Sequence, residues 1–214
     1  MSACGELSAG IALDCKARLI AGTNENIILM NYDLFKSLVI GTNLIYDPLN
    51  NLIVNDINFT GLDAGTYAWQ FTGKKNSNAP LVEATRGTYD LYYKHSVGFK
   101  VFANDPNAKA IVDSMSDSLV VAIVQNKTQQ TDSTDGAATP IDGNSAYEIY
   151  GAQSGMQIAT NTRNPNDPET KGAWDILLSN DEDELEGHIP LTIWDGISYA
   201  STKAIVDALL EPVV

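Results

Sequence analysis

His95 and His188 are the only histidines among 214 residues, and Cys4 and Cys15 are the only cysteines. These side chains titrate or attack near neutral pH, so their scarcity narrows the chemistry available. His95 sits in a strand-like run and His188 just before a Pro190 turn, and neither has a visible acid–base partner, so both read as structural. A serine nucleophile would need a G-x-S-x-G elbow, which is missing. Gly61-Leu-Asp-Ala-Gly65 lacks the Lys-Ser/Thr of a phosphate loop, and no G-x-G-x-x-G opens a helix, so no nucleotide cofactor is expected. Ten residues separate the two cysteines, and reduced thiols are expected in a chain that folds in a cytoplasm. Nothing nearby completes a zinc set around them.

Carboxylates are the remaining source of chemistry. Asp181-Glu-Asp-Glu184 clusters hard oxygen ligands of the kind calcium takes, but the EF-hand spacing is not met, and a solvated acidic turn fits better. Glycoside hydrolysis needs two carboxyl groups held at a defined separation, which no spacing here specifies. Asn58-Phe-Thr60 and Asn126-Lys-Thr128 match the glycosylation acceptor, but without a signal peptide they read as chance matches. Tyr67, Trp69 and Phe71, with Tyr92-Tyr93 and Tyr147/Tyr150, offer a sugar-facing alternative, although aromatics at strand period are more often core. No catalytic, cofactor-binding or metal-binding residue is assigned, and an enzyme is not expected.

Twenty-seven Asp and Glu against thirteen Lys and Arg give a net charge of −14. Such a surface repels phosphate and lacks the basic stripe of a sequence-specific nucleic-acid binder. It remains compatible with DNA sliding past a wall that does not hold it. Hydrophobic residues make up 44 % of the chain, enough for a packed core. No run approaches the roughly 18 to 20 apolar residues of a membrane span, and Met1 to Gly10 lacks the features of a signal peptide.

The elements that would position these groups are mostly short strands. Residues 26–40 read as a strand and connecting turn, followed by strands at Leu44–Tyr46 and Leu52–Phe59. Tyr67, Trp69 and Phe71 fall on one face of a core or interface strand. A polar loop at Lys74–Pro80 precedes strands at Leu81–Arg86 and Asp90–Ala103. Asp105 before Pro106 marks a helix start, and Ala108, Ile111, Val112 and Met115 form one apolar stripe up to about Asp117. Leu119–Val124 reads as a buried strand. Strands at Ala146–Tyr150, Met156–Thr162 and Ala173–Leu178 follow, and a helix from about Ser201 to Leu210 closes the chain. The expected fold is mainly β, a β-sandwich or barrel over residues 1–214 as one domain, with one short internal helix and a C-terminal helix. The polar stretch 126–146 is a loop, either an arm reaching from the body or a solvated hairpin tip.

Cys4-Gly5, Gly10-Ile-Ala-Leu-Asp-Cys15, Gly73-Lys-Lys-Asn-Ser-Asn78, Asn104-Asp-Pro106 with Val120 to Asn126, and Ser201-Thr-Lys-Ala-Ile-Val-Asp-Ala-Leu209 occur in order along the chain. Together they resemble virion structural proteins of tailed bacteriophages and prophages of Bacteroidetes-type hosts, and within these the tail tube proteins. The resemblance implies a β-sandwich or barrel that forms rings, usually hexameric, stacked into a tube conducting DNA during ejection. It implies assembly in the bacterial host cytoplasm, a place in the virion, partners among other virion proteins, and no cofactor or membrane span. The acidity would fit a lumen that repels phosphates over about 8 Å at physiological salt. Candidate assembly contacts are Tyr67, Trp69 and Phe71 on the aromatic strand and Thr128, Asp132 and Ile141 on the polar loop. A head–tail connector, tail terminator or capsid-associated protein is the alternative within the same module. A monomeric carbohydrate- or ligand-binding β-sandwich is the alternative outside it.

Overall fold

The computed structural model describes residues 22–87, 90–127, 146–168, 170–180 and 184–212. Two apolar runs organise it. Ile27-Ile-Leu-Met30 and Val120-Val-Ala-Ile-Val124 are buried at every position, which demands strands covered on both faces. They form β1 (Thr23–Asn31) and β7 (Val120–Asn126), an antiparallel pair inside a seven-stranded sheet. Across that sheet the order is β2 (Leu44–Tyr46), β3 (Ile53–Ile57), β11 (Leu191–Ile193), β8 (Tyr147–Tyr150), β7, β1 and β4 (Ala68–Thr72). Among the described strands, only β11 and β3 pair in parallel. A four-stranded antiparallel sheet, β5 (Ala79–Arg86), β6 (Leu91–Val101), β10 (Trp174–Ser179) and β9 (Gln157–Arg163), packs on one side.

Period-two alternation splits the core in two. Ile27, Leu29, Ala122 and Val124 meet Val97, Phe99, Ile176 and Leu178 of the smaller sheet. Their neighbours Ile28, Met30, Val121 and Ile123 face the other way, where helices α1 (Tyr32–Ser37) and α3 (Tyr199–Ala208) contribute Phe35 and Val206, with Leu209 just past the end of α3. The larger sheet is therefore the middle layer of a sandwich-like β protein.

Helix α2 (Pro106–Ser114) closes one side of the sandwich and runs into a 3₁₀ turn, Met115–Asp117. Asp105 Oδ1 accepts from the N–H groups of Asn107 (2.9 Å) and Ala108 (3.0 Å), and Pro106 takes the first helical position, as the sequence predicts. Val112 and Met115 enter the core while Ile111, on the same stripe, is 48 % exposed. Helix α3 is capped by Ser198 Oγ, which accepts from the Ser201 N–H at 3.2 Å.

Two local expectations are corrected. Residues 32–37 lie in the predicted strand-and-turn but form α1, a second short internal helix, because Tyr32 and Phe35 turn into the core as β1 ends. Tyr67 does not share a face with Trp69 and Phe71. It precedes β4 and packs edge-on against Phe59 at 5.3 Å in the helix-covered core, whereas Phe71 meets Phe99 at 5.7 Å between the sheets.

Candidate functional site

Two places concentrate unusual chemistry, and the first is sealed. His95 on β6 and Glu186 are both 0 % exposed. Backbone bonds to Tyr93 hold Glu186 beside β6, with Glu186 N–H donating at 2.9 Å and Tyr93 N–H at 2.8 Å. The tight connection from β8 to β9 turns at Gly151 (φ +74°) and Gly155 (φ +76°), aiming its N–H groups at the carboxylate. Gln153 N–H donates to both Glu186 oxygens (3.1 and 3.0 Å), and Ser154 donates from N–H (3.0 Å) and Oγ (2.9 Å). The Asn180 amide adds a donor at 3.4 Å and also reaches the Gly155 carbonyl at 2.6 Å. No lysine or arginine ion pair with Glu186 is present among the described residues. Hydrogen bonds replace the counter-ion that a buried charge usually requires.

His95 completes this node. Gly151 N–H donates to its Nδ1 at 3.2 Å, so Nε2 carries the proton and donates to the His188 carbonyl at 3.1 Å. Burial pushes the imidazole below its usual pKa, opposed by the nearby Glu186 charge. Tyr150 stands edge-on to the ring at 5.6 Å. The two groups most suited to acid–base chemistry are thus walled off from any substrate and cross-brace β6, the β8–β9 turn and the segment before β11.

The second place is open. Between β4, the end of β6 and α2 lies an apolar groove of about 600 Å³, lined by Leu29, Trp69, Phe71, Ile111, Val112 and Met115 among others. Trp69 is 44 % exposed within it. The Lys74 ammonium lies 4.3 Å from the Phe102 ring centroid, placing a cation beside this lining residue. Along one side β4 pairs with β1, and its other side has no strand partner among the described residues. A smaller recess between α2 and β9–β10 gathers Lys109, Arg163 and Trp174, whose buried indole N–H has no hydrogen-bond partner among the described residues.

Of the predicted contacts, Trp69 and Phe71 share the groove and Tyr67 lies behind it. Thr128, Asp132 and Ile141 lie outside the described residues, as do Cys4, Cys15 and Asp181 to Asp183. Glu184 is exposed, and the described residues contain no group of three or more metal-ligating side chains. Tyr147 and Tyr150 are buried, so they form no sugar-facing surface. Sequence reasoning missed Ile111 as a groove residue, although its place at the margin of the α2 stripe was the available signal. It missed Glu186 because the donors that bury it come from Gln153 and Ser154, distant in sequence. The chain matches no family model, no curated protein and no solved structure.

Proposed function

We propose that this chain is a non-enzymatic structural protein that assembles with copies of itself. The assembly is of the tail-tube kind its motifs resemble, stacked rings whose acidic channel lets DNA slide in a virion. The observation that carries the self-assembly reading is the contrast among the four sheet edges formed by the described residues. Proteins protect edge strands with charge, proline, bulges or shortness. Strand β5 carries Pro80, Glu83 and Arg86, β9 has Arg163 and an irregular register, and β2 is three residues long. Strand β4, Ala-Trp-Gln-Phe-Thr, has no charge and no proline, pairs in regular register, and borders the apolar groove. An edge without a strand partner among the described residues, beside an exposed tryptophan, fits a contact completed by another chain. Head-to-tail use of two different surfaces closes a ring, and a net charge of −14 supports a lumen that does not adsorb DNA.

Negative-stain electron microscopy and light-scattering mass of the purified full chain test this. Rings or tubes with a central channel are expected, and Trp69→Asp should reduce them to monomers with an unchanged circular dichroism spectrum. Rings that never stack would move the role to a connector or terminator. A monomer at every concentration would overturn self-assembly.

The groove volume favours one second reading, because about 600 Å³ falls within the size range of small-ligand sites. A monomeric binding module predicts saturable uptake of an apolar ligand, quenching of Trp69 fluorescence and no association between chains.

A further inference from the structure

We infer that the recess between α2 and β9–β10 receives a carboxylate side chain, Asp or Glu, from a second copy of this chain. This rests on the self-assembly reading above and names a contact within it. Lys109, Asp113 and Ser116 stand on one face of α2 and its 3₁₀ extension, at i, i+4 and i+7. Across the recess Arg163 of β9 pairs in register with Trp174 of β10. That register lays the Arg163 guanidinium over the indole, 5.4 Å from the ring, while Arg163 Nε donates to the Gly172 carbonyl at 2.9 Å. The fork is thereby anchored through Nε, and its terminal nitrogens have no partner among the described residues.

Three kinds of donor meet here: an indole N–H, a guanidinium and the exposed Lys109 ammonium. The indole N–H is buried and lacks an acceptor among the described residues, a state that native structures rarely leave uncompensated. Asp113 is the one anionic side chain among the described lining residues, and it forms no ion pair with Lys109 or Arg163. A planar carboxylate suits the set, because it matches the guanidinium fork and accepts from the other N–H groups.

Charge selects the source. Copies of a chain of net charge −14 repel one another, so contact is favoured where one supplies cations and the other supplies carboxylates from its excess. Lys100 and Lys203 are already paired with Asp175 and Asp207 of their own chain, whereas Lys109 and Arg163 have no ion pair among the described residues. The recess also adjoins the apolar groove, since Val112 lines both. A neighbour covering Trp69 need reach only across α2 to set a carboxylate against Arg163.

The test mixes isotope-labelled and unlabelled full-length chains and couples contacting amines to carboxylates with a carbodiimide. A cross-link from Lys109 of one copy to an Asp or Glu of another is expected, read by mass spectrometry as mixed-isotope peptide pairs. Lys109→Gln and Arg163→Gln should each raise the concentration for half-assembly about tenfold by light scattering, and Asp113→Asn should lower it. Lys109 is exposed, so its variant keeps the test open if Arg163→Gln fails to fold. Assemblies that form without a Lys109 cross-link between copies, and at unchanged concentrations in the variants, would overturn the inference and leave self-assembly standing. Monomers at every concentration would overturn both. A Trp174 indole N–H resonance that shifts saturably with acetate in a chain that stays monomeric would make the recess a free-anion site and overturn the assignment to a second copy.

Discussion

The node around Glu186 and the groove beside β4 handle polar and apolar groups in opposite ways. At the node a carboxylate is withdrawn completely from water, yet its oxygens receive donors from Gln153, Ser154 and Asn180. At the groove, Trp69 and Ile111 remain about half exposed and a strand edge has no partner among the described residues. Burial at the node comes with satisfaction from within the chain, so the region is complete as it stands. Exposure at the groove comes with apolar surface left to solvent and, among the described residues, a strand edge without a strand partner. The difference separates what this chain does for its own stability from what it presents to others.

Removing the carboxylate should break that contrast most severely. Glu186→Ala leaves several buried donors without an acceptor, and the expected loss is about 3–5 kcal/mol by urea denaturation. A loss below about 1 kcal/mol would mean that the node is not a brace. The next effect depends on pH. Folded His95 has a lowered pKa, with Glu186 and His188 as the titratable groups acting on it, whereas in the unfolded chain it titrates near 6.5. Below about 6.5 the unfolded state binds more protons, so the stability from neutral His95 is fully present above that pH. It is lost as pH falls toward the folded value, by up to about 1.4 kcal/mol per unit. The urea midpoint should fall between about pH 7.5 and 5.5, and His95→Gln should flatten the dependence. Identical slopes in the two proteins would remove His95 from the account.

Smaller still is Asp105→Ala, which deletes the cap of α2 and should lower the thermal midpoint slightly. An unchanged melting curve would count against that cap. Trp69→Ser sharpens the comparison from the other side. It should alter monomer stability by less than about 1 kcal/mol while causing the largest change in assembly mass by light scattering. A strongly destabilised monomer would make Trp69 core rather than contact.

Much of the fold was legible where one local rule dominated. The unbroken apolar run at Leu119–Val124 announced a strand covered on both faces, and Asp105-Pro106 announced α2 with its cap. Helix α1 was not legible: six residues, with no side-chain cap from Asn31, carry too little period to stand out from the strand before them. Nor does any local pattern tell that β8 and β9, joined by one tight turn, belong to different sheets. At the groove, aromatic spacing identified Trp69 and Phe71 but misplaced Tyr67, because the strand begins only at Ala68. Glu186 was hidden in an acidic run, since sequence composition does not distinguish a solvated carboxylate from one enclosed by distant amides.

The parallel pairing of β11 with β3 constrains how the molecule can be made. Among the described residues, the β2–β3 hairpin joins the rest of its sheet through β11, which lies more than 130 residues further along. During synthesis that hairpin emerges early and, among the described strands, gains its partner in the sheet only when β11 has left the ribosome. Closing so long a loop is slow, and apolar faces wait uncovered in the interval. The far border of the large sheet is therefore the last part to be secured, and a nascent chain stalled before residue 191 would hold its hairpin loose.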